Sequence, residues 1–121
     1  MKAIAYSIQN REKVSLVKAN SKRHEFLFIS NDLNETNLYF ARGKDVLILF
    51  KLETLNSDLL KQIKRIGIKL IISRDHNPSL EILELANRIG IPVKHVQCNW
   101  SDEKKAHQII NILDYASDGL P

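Results

Sequence analysis

Apolar residues fall into short dense runs, separated by stretches in which they recur every three or four positions. The run "KAIAYSI" at 2–8 predicts a strand, and "HEFLFIS" at 24–30 a second one, rich in Phe and Ile. "DVLILF" at 45–50 and "IKLIIS" at 68–73 predict a third and fourth; unbroken runs of this kind suit strands buried on both faces. "PVKHVQ" at 92–97 predicts a fifth. Between them, "REKVSLVKANSKR" at 11–23 carries Val14, Val17 and, more weakly, Leu16 at helical spacing. "NETNLYFARG" at 34–43 predicts a short helix ending at Gly43. "SDLLKQIKRIG" at 57–67 sets Leu59, Leu60, Ile63 and Ile66 on one side, with Ser57 as N-cap and Gly67 as stop. "SLEILELANRIG" at 79–90 predicts another helix, ending at Gly90, and "SDEKKAHQIINILDYA" at 101–116 a last one. There Ser101 is the expected N-cap, and Asp102 and Glu103 stand where the helix dipole favours negative charge.

Five strands alternating with five helices imply a parallel sheet covered on both faces. The expected fold class is α/β: a flavodoxin-like three-layer α/β/α domain over residues 1–121, with a five-stranded parallel sheet in the order 2-1-3-4-5. In that order a ligand crevice opens beyond the carboxyl ends of strands one, three and four. The residues falling there are Ser7, Ile8, Gln9 and Asn10, then Lys51, Leu52 and Glu53, then Arg74, Asp75, His76 and Asn77.

Composition narrows the classes of function. A length of 121 residues suits one domain, and 44% apolar with 26% charged residues is ordinary for a globular protein. No apolar run approaches the roughly 20 residues of a membrane span, and "MKAIAYSIQNREK" lacks a signal-peptide core, so the expectation is a cytoplasmic protein without a membrane partner. The net charge of +4 is mild. Arg11, Lys13 and Lys18, and Lys61, Lys64 and Arg65, read as solvated helix faces; without interleaved aromatic residues they do not suggest nucleic-acid binding. Cys98, the sole cysteine, excludes an intrachain disulfide and reads as a buried structural thiol.

Three chemistries come into question for a crevice of this kind. A phosphate site of this topology wants a Gly- or Ser/Thr-rich turn at a helix start. The first loop, "SIQNREK", has no glycine, and neither G-x-G-x-x-G nor G-x-x-x-x-G-K-[ST] occurs in the chain. A phospho-acceptor site needs acids where Tyr6–Ser7 and Phe50–Lys51 stand. His76 beside Arg74 and Asp75 has the make-up of an acid-tuned general base. However, "DHNPS" is also good turn material, with Pro78 suited to a helix start, and that reading is the stronger. His24, His95 and His107 lie on separate elements without metal-ligand spacing.

The opening "MKAIAYSIQNREK" resembles that of the D-2-hydroxyacid dehydrogenase family, whose first strand reads much like "IAYGIR". "GKDVLILF…SDLL" resembles the family's third strand and the helix after it. Lys69 to Ile91 follows, without a gap, a family pattern K-x-I-x-x-R-x-x-G-x-D-x-x-D-L-x-x-A-x-x-x-G-I, on which Lys69, Ile71, Arg74, Leu83, Ala86, Gly90 and Ile91 fall. Val93, Val96 and His107 continue the series. Departures are Asn77 for a substrate-binding Gly, Ser79 and Ile82 for two Asp, Gln97 for Pro, and Ala106 for the Glu before the hinge His. The likeness implies the substrate-side domain of such an enzyme, without its dinucleotide-binding domain and without the catalytic Arg, Glu and His that lie there. It implies a non-catalytic module taking a small carboxylic acid or a protein partner, with Ser7, Lys51, Arg74, Asp75, His76 and Asn77 as the ligand-binding candidates. No cofactor is expected on this chain; NAD enters only if a separate chain supplies its site, which would make this one half of a split dehydrogenase. The third reading is a structural remnant. Helix 101–116 must bury Ile109, Ile110, Ile112 and Leu113 on its own sheet or on a second copy, so a homo-oligomer, a dimer in its simplest form, or a partner bound through that helix is expected.

Overall fold

The computed structural model describes residues 1–50, 55–73, 79–97 and 100–119. Strands β1 (Lys2–Tyr6), β2 (Glu25–Ile29), β3 (Val46–Leu49), β4 (Leu70–Ser73) and β5 (Val93–His95) form one parallel sheet in the order β2-β1-β3-β4-β5. Ala3, Ile4, Ala5 and Tyr6 each pair with residues on both sides, from Phe26–Ile29 and from Val46–Leu49. The expected order and class therefore stand.

Four α-helices are described: α1 (Asn10–Asn20), α2 (Ser57–Arg65), α3 (Leu80–Ile89) and α4 (Asp102–Gly119). The short helix expected over 34–43 is replaced by turns and a single 3-10 turn at Leu38–Ala41. The reason is local: Asn34 Oδ1 accepts from the backbone N–H groups of Thr36 and Asn37, holding the chain in an Asx turn where a helix would need those groups.

The pleat splits the core. Ile4, Tyr6, Leu47, Leu49 and Ile71 face α2 and α3, where Leu59, Leu60, Ile63 and Ala86 meet them. Ala3, Ala5, Val46, Ile48, Leu70 and Ile72 face α1 and α4, meeting Leu16, Ala106, Ile109, Ile110 and Leu113. Ile109, Ile110 and Leu113 are thus covered by the chain's own sheet, with Ile112 half-buried. On α1 the sequence misleads. Leu16 is fully buried, whereas Val14 and Val17 are 66% and 52% exposed. The buried face follows Glu12, Leu16 and Asn20, an i, i+4, i+8 row that includes two polar residues and so escapes an apolar count.

Helix ends follow capping chemistry. The N-cap of α2 is Asn56, not Ser57: its Oδ1 accepts from the Leu59 N–H at 2.9 Å. Ser101 caps α4 as expected, its hydroxyl accepting from the Lys104 N–H. Gly90 ends α3 with φ of 87°, a conformation that would strain a side chain.

Candidate functional site

Strand ends place the crevice. At the carboxyl edge of the sheet β1 leaves through Ser7, whose φ is 62°. The left-handed region costs an L-residue about 1–2 kcal/mol, and in the family pattern quoted above a glycine stands here. Two bonds hold Ser7 in place. Its N–H donates to the Asn31 carbonyl at 3.0 Å, and its hydroxyl donates to Asp32 Oδ1 at 2.6 Å. The Asp32 carbonyl accepts from the side-chain amides of Asn34 and Asn37, at 3.3 and 2.8 Å. Tyr6 completes the stitching: its buried hydroxyl donates to the Asn37 carbonyl at 2.8 Å. Burial pushes the Tyr6 phenol up to about 12, so it remains a neutral donor at physiological pH.

The starts of α1 and α4 make the next stretch of wall. The Gln9 N–H donates to Glu12 Oε1 at 3.1 Å. Arg11 Nε lies 3.3 Å from Asp102 Oδ2, and Lys105 Nζ lies 3.9 Å from Asp102 Oδ1. Glu12 and Lys105 are both buried and line, with Phe50 and Asp102, a small hollow between the two helices. Beside it Lys104 Nζ sits 4.5 Å from the centre of the Trp100 ring, a cation–π contact.

Of the ligand-binding candidates, Ser7 stands just past the carboxyl end of β1. Lys51, Arg74, Asp75, His76 and Asn77 lie outside the described residues, as does Cys98. The described ends of β3 and β4 lead into those segments: the Phe50 N–H bonds the Tyr6 carbonyl, and Ser73, fully buried, accepts from the Val96 N–H. Sequence reasoning missed Asn31, Asp32, Asn34 and Asn37. Their signal was the Asx-rich run "NDLNETN" at 31–37, which marks turns. It also missed the Arg11–Asp102–Lys105 group, whose members lie far apart in the chain.

A dinucleotide needs close backbone approach at the carboxyl edge. Gly43, Gly67 and Gly90, all with positive φ, sit at the opposite edge, ahead of β3, β4 and β5. The three described histidines stand apart: His24 at the amino edge, His95 in β5, His107 exposed on α4.

The sheet order and crevice define a flavodoxin-like α/β/α domain, of the kind found in D-lactate and D-2-hydroxyacid dehydrogenases. The chain is similar over 79% of its length to D-lactate dehydrogenase from Escherichia coli, with 27% identity and a TM-score of 0.70. It is similar over the same share to Salmonella D-lactate dehydrogenase, with 26% identity and a TM-score of 0.67. With the pyruvate reductase of Chlamydomonas reinhardtii it shares the fold over 96% of its length, at 24% identity and a TM-score of 0.69. It spans 31%, 30% and 34% of those three chains, respectively. No family model matches the sequence, and no curated protein matches it.

Proposed function

We propose that this domain is the substrate-side part of a D-2-hydroxyacid dehydrogenase-like assembly, and that on its own it binds a small 2-hydroxy or 2-keto carboxylic acid without turning it over. The observation that carries the reading is the similarity to D-lactate dehydrogenase from Escherichia coli over 79% of this chain and 31% of that one. Among the described residues, Arg11 and Lys105 at the starts of α1 and α4 are engaged by Asp102, and Lys104 by the Trp100 ring. Arg74, which follows β4 in the sequence and whose planar fork suits a bidentate pair, is the residue assigned to the carboxylate.

Calorimetric titration of the intact chain with D-lactate and with pyruvate tests this. Heat of binding and a raised Tm are expected, and Arg74→Ala should abolish both. Absence of heat and of any thermal shift with either acid at millimolar concentration overturns it. The share of the relatives' length favours a second reading, one part of an enzyme whose hydride-donor site lies in another domain or chain. That reading expects NADH-dependent reduction of pyruvate to appear when a dinucleotide-binding protein is added, and fails if the mixture stays inert.

A further inference from the structure

We infer that, within the small-acid site proposed above, Ser7 selects the 2-hydroxy acid over the 2-keto acid, because its oxygen meets the ligand as a hydrogen-bond acceptor with no hydrogen left to give. The inference rests on that reading and adds to it the oxidation state of the ligand.

The sheet sets the position. Ser7 is the residue just past β1, and β1 lies between β2 and β3. The chain leaves β1 for α1 on one face of the sheet and β3 for α2 on the other. Such a reversal opens a crevice between the carboxyl ends of the two strands, next to Ser7. The residue is half-buried, so part of its surface stays open.

The donors around it are spent. The Ser7 N–H donates to the Asn31 carbonyl at 3.0 Å, and the Ile8 N–H to the Ile29 carbonyl at 3.4 Å. The Gln9 N–H donates to Glu12 Oε1 at 3.1 Å. Across the switch point the Phe50 N–H donates to the Tyr6 carbonyl at 3.2 Å, and the Tyr6 hydroxyl donates to the Asn37 carbonyl. The Ser7 hydroxyl lies 2.6 Å from Asp32 Oδ1. A carboxylate only accepts, so the hydroxyl hydrogen is on that line, and the length is that of a charge-assisted bond. Turning the hydrogen toward a ligand would break a bond roughly twice as strong as a neutral one. What Ser7 offers a ligand is therefore the lone pairs of its oxygen, backed by the charge of Asp32.

The two acids differ at the atom that meets them. The C2 group of a 2-hydroxy acid carries an O–H donor, whereas the carbonyl oxygen of a 2-keto acid only accepts. A ligand hydroxyl donating to Ser7, which donates in turn to Asp32, forms a chain running in one direction, in which each bond polarises the next. A keto oxygen in the same place would face lone pairs with no hydrogen between. Like charge keeps the ligand's carboxylate away from Asp32, so the C2 substituent is the end that meets Ser7.

Ser7→Gly removes the oxygen without threatening the fold, because glycine adopts the φ of 62° found here at no steric cost. The experiment is calorimetric titration of the intact chain and of Ser7→Gly with D-lactate, pyruvate and (R)-2-chloropropanoate, which has the tetrahedral carbon of D-lactate without its donor. The unaltered chain is expected to bind D-lactate about tenfold more tightly than either other acid, the worth of one hydrogen bond. Ser7→Gly should bind D-lactate and pyruvate alike. Equal affinity of the unaltered chain for D-lactate and pyruvate overturns the inference and leaves the small-acid reading in place. A preference for D-lactate that survives in Ser7→Gly overturns it too, as does (R)-2-chloropropanoate binding as tightly as D-lactate, since shape would then select. Absence of heat with all three acids overturns the small-acid reading itself, and this inference with it.

Discussion

Tyr6 joins stability to the shape of the crevice. Its ring is buried at the end of β1, and its hydroxyl holds the Asn37 carbonyl. Burial raises the phenol from 10.0 to about 12, so between those values the unfolded chain sheds a proton that the folded chain keeps. The group's contribution is complete below pH 10 and is lost as the pH rises toward 12. A difference of this size corresponds to about 2–3 kcal/mol. Tyr6→Phe should cost about 1–2 kcal/mol at pH 7 through the lost hydrogen bond, and its stability should fall less steeply above pH 10. Urea midpoints for both proteins at pH 8, 10 and 11 check this; parallel alkaline limbs would refute the assignment. Residues of this kind were only partly legible. Tyr6 reads as one more apolar position of a strand, because its partner is a backbone carbonyl 31 positions away. Ser7 reads as a strand residue too; its positive φ is enforced by Asn31 and Asp32, which local sequence cannot announce.

At the scale of elements, the parallel strands were legible because burial on both faces leaves nearly unbroken apolar runs, as in "VLIL" of β3. The inward face of α1 was not, because its buried row includes Glu12 and Asn20. Those polar residues have work at the helix ends. Glu12 accepts from the Gln9 N–H, and Asn20 brackets His24, accepting from its N–H and donating to its carbonyl. The ring of His24 is then clamped. The Met1 nitrogen lies 3.0 Å from its Nδ1, and Asp114 Oδ1 of α4 lies 2.7 Å from its Nε2. With the Met1 nitrogen donating to Nδ1, Nε2 carries the hydrogen and donates to Asp114. Arg23 reaches the other Asp114 oxygen at 3.2 Å. Thus α4 is tied to α1 near its start by Arg11–Asp102 and toward its end by the Arg23–His24–Asp114 group. Asp114→Ala strands the Nε2–H of a nearly buried ring and should cost about 1–3 kcal/mol. Asp114→Asn, which keeps an acceptor oxygen, should recover part of that loss. Urea denaturation of the two variants is the check, and an unchanged midpoint for the alanine variant would show that the clamp contributes nothing.

Over the whole molecule, one sheet serves two cores and one crevice. Tyr6, Leu47, Leu49 and Ile71 point to the α2–α3 side, while the alternate residues Ala5, Ile48, Phe50 and Ile72 point to the α1–α4 side. The crevice walls described above follow the carboxyl ends of β1, β2 and β5, which are bonded into the same sheet, so the site cannot hold its shape while either face is open. This coupling makes a specific demand. Trp100, the single tryptophan, packs against the α1–α4 core, whereas Ile71 is buried in the opposite one. Ile71→Val removes one methylene and should cost about 0.5–1.5 kcal/mol. Because the strands are shared, the loss should appear in full at Trp100, across the sheet from the substitution. Its fluorescence and the far-UV circular dichroism should shift to the same lower urea midpoint with an unchanged slope, as one cooperative transition requires. If the fluorescence transition stays in place while the dichroism moves, the two faces unfold separately, and the sheet does not transmit stability from one core to the other.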